Sequence, residues 1–111
     1  MSISTHVLDN ERGQPAAQVR VILERREGDR FVWLKDGLTD RDGRIASLLR
    51  GDLVAGIYRI TFDAAGYFAK QGGESPFLQT VSITFEITDT GRHYHVPLLL
   101  TRFACTSYRG S

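Results

Sequence analysis

Apolar and polar residues alternate in short runs along most of this 111-residue chain, the period-2 pattern of strands that cover one face and expose the other. Over residues 2–10, Ile3, Thr5 and Val7 fall on one side, with Ser4, His6 and Leu8 on the other. Val19, Val21 and Leu23 alternate with Gln18, Arg20, Ile22 and Glu24 to give a second strand, which Gly28-Asp29 closes. A third opens at residues 31–34, rich in aromatic and β-branched side chains. Residues 56–62 and 81–87 alternate in the same way, the former with Ile57, Arg59 and Thr61 opposite Tyr58, Ile60 and Phe62. Residues 45–49 fit either a short strand or a turn.

Breaks in the alternation mark the connections. Asp9 to Pro15 is rich in turn formers, and Asp42-Gly43 is a tight turn directly before Arg44. The spacing predicts one helix over residues 63–71, capped by Asp63 and halted by Gly72-Gly73. With Gly66 inside it and so few residues, its stability must come from packing. Ser75-Pro76-Phe77 reads as a loop anchor. Seven or eight short strands in so short a chain predict an all-β fold: a two-sheet antiparallel β-sandwich with one short helix, as a single domain over 1–111.

The last stretch, from His93 onward, is the most informative. His93 and His95 lie at i and i+2 and share a face, two rises of ~3.3 Å apart, while Tyr94, Val96, Leu98 and Leu100 face the core. The histidine face continues through Pro97 to Leu99, turning apolar where a solvated face would stay polar. His6 shares its face with Leu8 in the same manner. Both faces suit a surface that something else covers. The chain closes on Tyr108-Arg109-Gly110-Ser111, an aromatic ring, a guanidinium, a flexible glycine and a hydroxyl beside a terminal carboxylate. That is a poor composition for a mere tail.

Composition narrows the classes. A net charge of +1 favours neither nucleic acid nor an anionic membrane surface. No basic start precedes an apolar run, so neither a signal peptide nor a membrane span is expected, and a cytoplasmic location follows as the default. The single Cys105 has no partner for an internal disulfide and reads as a small strand hydrophobe rather than a nucleophile. Imidazole exchanges protons near neutral pH, and guanidinium orients planar polar ligands and stabilises developing negative charge. His6, His93, His95, Arg44 and Ser111 are therefore the chemical inventory. A metal site on the three histidines lacks an accompanying cysteine or well-spaced carboxylate, so none is expected. Ser-His-Asp hydrolysis lacks its Gly-x-Ser-x-Gly elbow. Two classes stay open: a small hydrolase or lyase using paired imidazoles and a guanidinium, and a sandwich that carries a small ligand between subunits. The composed tail favours the first.

Six segments carry a resemblance: Ser4-Thr-His-Val-Leu-Asp9 with Gly13-Gln-Pro-Ala16, Thr39-Asp-Arg-Asp-Gly-Arg44, Gly56-Ile-Tyr58, Ser75-Pro-Phe77, His93-Tyr-His-Val-Pro-Leu98 and Tyr108-Arg-Gly-Ser111. Together they resemble the transthyretin-like family, and within it the 5-hydroxyisourate hydrolases rather than the hormone carriers. The terminal Tyr-Arg-Gly-Ser marks the hydrolases; the carriers lack histidine at the positions of His6 and His95 and have an acidic residue at that of Arg44. The resemblance implies His6, Arg44, His95 and Ser111 as catalytic residues, the same four with Tyr108 as substrate-binding residues, and no cofactor. His93 belongs to the same motif with a weaker claim. The implied reaction is hydrolysis of 5-hydroxyisourate, in urate breakdown, to 2-oxo-4-hydroxy-4-carboxy-5-ureidoimidazoline. The implied assembly is a homotetramer, a dimer of dimers with sites at the seam. One departure is the turn before the tail, where relatives show Ser-Pro-Tyr-Gly and this chain has Thr101-Arg-Phe-Ala104.

Overall fold

The computed structural model describes residues 2–110, and over these the alternation resolves into nine strands and one helix. In chain order they are β1 (Ser2–Asp9), β2 (Gln14–Pro15), β3 (Arg20–Glu27), β4 (Arg30–Leu38), β5 (Arg44–Arg50), β6 (Gly56–Asp63), α1 (Ala64–Lys70), β7 (Thr80–Ile87), β8 (Tyr94–Leu100) and β9 (Cys105–Ser107). One sheet has the order β2-β1-β8-β9, with β5 also paired to β1; the other is β4-β3-β6-β7. The expected faces hold: Ile3, Val7, Val21, Leu23, Tyr58, Ile60, Phe62, Leu98 and Leu100 are fully buried between the sheets. Each such side chain contributes about 1.5–3 kcal/mol relative to leaving it in water.

Residues 45–49, open on pattern alone, belong to β5, where Ile45 and Leu49 pair with Thr5 and Ile3 of β1. The sandwich is not antiparallel throughout. β1 runs parallel to β8, with Ser4 opposite His95, His6 opposite Pro97 and Leu8 opposite Leu99. Alternation reports which face a residue takes and is blind to strand direction, so this pairing comes from the route of the chain between the sheets.

α1 forms where expected. The Asp63 carboxylate accepts from the Gly66 backbone N–H at 3.0 Å, and a Cβ at position 66 would meet that carboxylate at 2.2 Å. A side chain at this position would push the Asp63 carboxylate off its cap, so glycine keeps the cap in place despite its propensity cost. Tyr67 and Phe68 bury its inner face. The Tyr67 hydroxyl donates to Asp9 at 2.8 Å, while the other Asp9 oxygen accepts from the backbone N–H groups of Glu11 and Arg12. Burial first, then the Asp9 carboxylate, pushes the Tyr67 phenol up to about 12. At Ser75 the hydroxyl donates to the Leu78 carbonyl, whereas Phe77 of the expected anchor is exposed. Cys105 takes its strand position but its thiol is also exposed, on the edge strand β9. Among the described residues no helix is long and apolar enough to cross a membrane.

Candidate active site

The polar face foreseen on β1 and β8 is the outer surface of the five-stranded sheet, and parallel pairing sets its residues side by side. Ser4 is opposite His95, and on the other flank of β1, His6 is opposite Arg44 of β5. An open cleft of about 350 Å³ lies here, lined by Ser4, Thr5, Arg44, Ala46, His93 and His95. His6 is outside this lining, as the register partner of Arg44 on the same face. Three strands from distant parts of the chain thus bring two imidazoles and a guanidinium to one mouth, with a third imidazole at its edge.

Arg44 is exposed but its backbone is not free to move. The Asp40 carboxylate accepts from the N–H groups of Asp42 and Arg44 at 2.9 and 3.0 Å. Gly43 donates to the Asp40 carbonyl, and its own carbonyl accepts from Val7. The Gly43 backbone has a positive φ of 76°, and a Cβ there would stand 2.4 Å from the Val7 carbonyl oxygen, so both conformation and space require glycine. The Arg44 N–H contributes most to holding the Asp40 carboxyl below the ordinary carboxylate range, with the Arg44 and His6 charges adding to it.

His95 of β8 and His93, just before that strand, are joined by serines of β1. The Ser4 hydroxyl lies 2.8 Å from His93 Nε2 and 2.7 Å from His95 Nδ1, and Ser2 hydrogen-bonds His93 Nδ1. The rings are close to parallel, with centroids 6.4 Å apart, as two strand rises require. Ser4 is itself buried. With Nδ1 engaged by Ser4, His95 presents Nε2 to water or ligand. Burial is the main cause that lowers the His95 pKa from its ordinary 6.5, and the charges of His93, His6 and Arg44 push the same way. These causes all favour the neutral imidazole, the form that accepts a proton.

The tail reaches this site through Gly110. Its N–H donates to the His95 carbonyl at 2.8 Å, forming an isolated bridge between the two residues. A Cβ at position 110 would meet His95 Cδ2 at 2.6 Å. The glycine read as flexible in the sequence is buried and pressed against the imidazole. Tyr108 lines a neighbouring cleft of about 270 Å³, together with Tyr94, His95 and Arg109, rather than the one beside Arg44. Ser111 lies outside the described residues. Ser2, Ser4, Asp40 and Gly110 were not singled out as site residues in the sequence. Ser4 had one visible signal, its place on the face of His6, but only the β1·β8 register shows that it meets the histidines.

The family model described as HIUase/Transthyretin family matches residues 3–110. A curated 5-hydroxyisourate hydrolase of Deinococcus radiodurans is 44% identical over 98% of this chain and 95% of its own length. The solved structure of Klebsiella pneumoniae 5-hydroxyisourate hydrolase superposes with a TM-score of 0.85 at 39% identity, covering all of both chains. Sea bream transthyretin in complex with thyroxine superposes with a TM-score of 0.91 at 29% identity, over 99% of this chain and 95% of that one.

Proposed function

The chain belongs to the HIUase/Transthyretin family, and from that premise we propose that it is an enzyme hydrolysing 5-hydroxyisourate to 2-oxo-4-hydroxy-4-carboxy-5-ureidoimidazoline. The supporting observation is the convergence of His95, His6 and Arg44 on one face, with the pKa of His95 held low. Water at His95 Nε2 gives up a proton as its oxygen attacks the ring carbonyl. Arg44 orients the planar substrate and offsets the oxyanion charge that builds in the transition state. His6 holds the water or substrate from the far side of the cleft. The proton taken by His95 is returned to the leaving nitrogen, which completes ring opening without a net change in the protein. Ser111 completes the substrate contacts, with Tyr108 acting from the adjoining cleft that also has His95 in its lining, and no metal or organic cofactor takes part.

The assembly proposed with it is a homotetramer of two dimers, with sites at the seam. In support, Leu8 and Leu99 are register partners on the same face as the histidines, and both are only half-buried in the single chain. A cytoplasmic setting is part of the proposal and is in keeping with the exposed, unpaired Cys105 thiol.

The test is an ultraviolet assay on freshly generated 5-hydroxyisourate, run with protein that has been exhaustively chelated. Decay accelerated by the chelated protein is the expected result. Activity lost to chelator and restored by zinc would overturn the metal-free mechanism. Binding of the substrate without turnover would move the chain to the carrier side of its family.

A further inference from the structure

The serine between His93 and His95 has a constraint built into it. A hydroxyl has one proton to donate, yet Ser4 Oγ stands within hydrogen-bond distance of His93 Nε2 and His95 Nδ1 at once. If both bonds are made by neutral rings, at most one nitrogen can accept from Ser4, so at least one must donate to it. His95 has to keep the Nε2 lone pair free for water, so its proton sits on Nδ1 and is donated to Ser4. The Ser4 proton is then donated to His93 Nε2, and the His93 proton, on Nδ1, is donated to Ser2. These three protons point in one direction along a chain that starts at the cleft and ends at Ser2.

We propose that Ser4 is a positioning residue that fixes the tautomer of His95 and links it to His93 as a proton relay, with His93 as the acceptor at its far end. The proposal rests on the hydrolase reading for its catalytic consequence and for the choice of His95 tautomer, though not for the hydrogen-bond distances. When water attacks, its O–H bond breaks and an N–H bond forms at His95 Nε2. The N–H bond at His95 Nδ1 breaks as an O–H bond forms on Ser4, and the original Ser4 O–H bond breaks as an N–H bond forms at His93 Nε2. His95 ends neutral with its proton on Nε2, and His93 carries the positive charge. The leaving nitrogen then takes the proton from His95 Nε2, and the two relay transfers run backwards, from His93 Nε2 to Ser4 and from Ser4 to His95 Nδ1. The physical advantage is that the charge need not remain on His95, which is partly buried and shares its surroundings with Arg44 and His6.

Two measurements decide the matter. Nitrogen-15 NMR of the imidazoles, on the protein without substrate at about pH 8, where ordinary imidazoles are neutral, should find His93 and His95 both protonated at Nδ1. The Ser4→Ala variant should lose that pattern at His95, and Ser4→Thr, which keeps a hydroxyl, should retain it. In turnover, Ser4→Ala should lower kcat at least about tenfold, part of the ~10²–10⁴-fold supplied by a placed acid–base group, with KM little changed and Ser4→Thr largely restoring the rate. A wild-type His95 protonated at Nε2 would overturn the relay, as would a Ser4→Ala enzyme with wild-type kcat. The wild-type spectrum requires neither a variant that folds nor a substrate. Should the wild-type protein fail to hydrolyse 5-hydroxyisourate, the hydrolase reading falls while the spectrum still judges the hydrogen-bond chain.

Discussion

His95 is the residue on which most of the proposed chemistry turns. His95→Ala and His6→Ala should each lower kcat/KM by ~10²–10⁴-fold, the worth of one placed acid–base group, while circular dichroism and melting stay near wild type. Near-normal rates from either variant would remove that histidine from the mechanism. His95 also sets a pH dependence. Its pKa in the folded chain is lowered from 6.5 by burial and by the charges of His93, His6 and Arg44, so the base form persists below that value. The acidic limb of kcat/KM should therefore fall below pH 6.5, and Arg44→Ala should move it upward by removing one repelling charge. For stability the sign runs the same way. The unfolded state binds more protons than the folded state as pH falls from 6.5 through the folded pKa, so the contribution is present above 6.5 and lost below. A limb at or above pH 6.5 in the wild type would contradict this environment.

Among the elements, the segment after β9 shows how a short piece of chain acts beyond its own area. Gly110 is bonded to the His95 carbonyl and lies against its ring. Gly110→Ala would place a methyl 2.6 Å from His95 Cδ2, so either the tail lifts away or the imidazole turns. Activity should fall by up to ~10²-fold, the cost of about 1 Å of misplacement, with little loss of thermal stability because a terminal segment buries little surface. A variant that melts early yet hydrolyses normally in the cold would make the segment a structural clamp. The β8–β9 turn, which departs from the relatives' sequence, is held by contacts of its own. The Arg102 side chain donates twice to Glu11 Oε1, at 3.1 and 2.7 Å, and its backbone N–H donates to Oε2 at 2.7 Å. Thr101 closes the turn by accepting from the N–H groups of Phe103 and Ala104. The departure thus carries a tie to the β1–β2 connection and leaves the site strands untouched.

For the whole molecule, the outer face of the five-stranded sheet carries both the candidate site and an apolar margin. Leu99→Glu should split the proposed tetramer and lower activity together, because Leu99 shares the face of His95. A carboxylate buried unpaired at a seam costs about 3–5 kcal/mol, whereas on a face open to water it would cost almost nothing. Light scattering beside the hydrolysis assay, at matched protein concentration, checks both effects. A wild-type protein that is a fully active monomer would remove the reason for placing sites between subunits.

Alternation by itself determined which residues of β1, β3, β6 and β8 face the core, because in a strand the side-chain period is fixed by backbone geometry alone. Local chemistry likewise determined the Asp63 cap and the Gly43 turn, since the groups that satisfy one another there are only three or four residues apart. His6, Arg44 and His95 were legible as candidates through residue type, company on the strand and the family motifs. Their meeting was not legible. Register and direction are set by long-range hydrogen bonds between strands more than ninety positions apart, as Ser4 and His95 are, and no local pattern encodes them. For the same reason Ser4 looked like an ordinary strand serine and Gly110 like slack in a tail. Only once tertiary structure laid β8 parallel to β1, and the last residues back along β8, did a hydroxyl fall between two imidazoles and a missing side chain become a place for a ring.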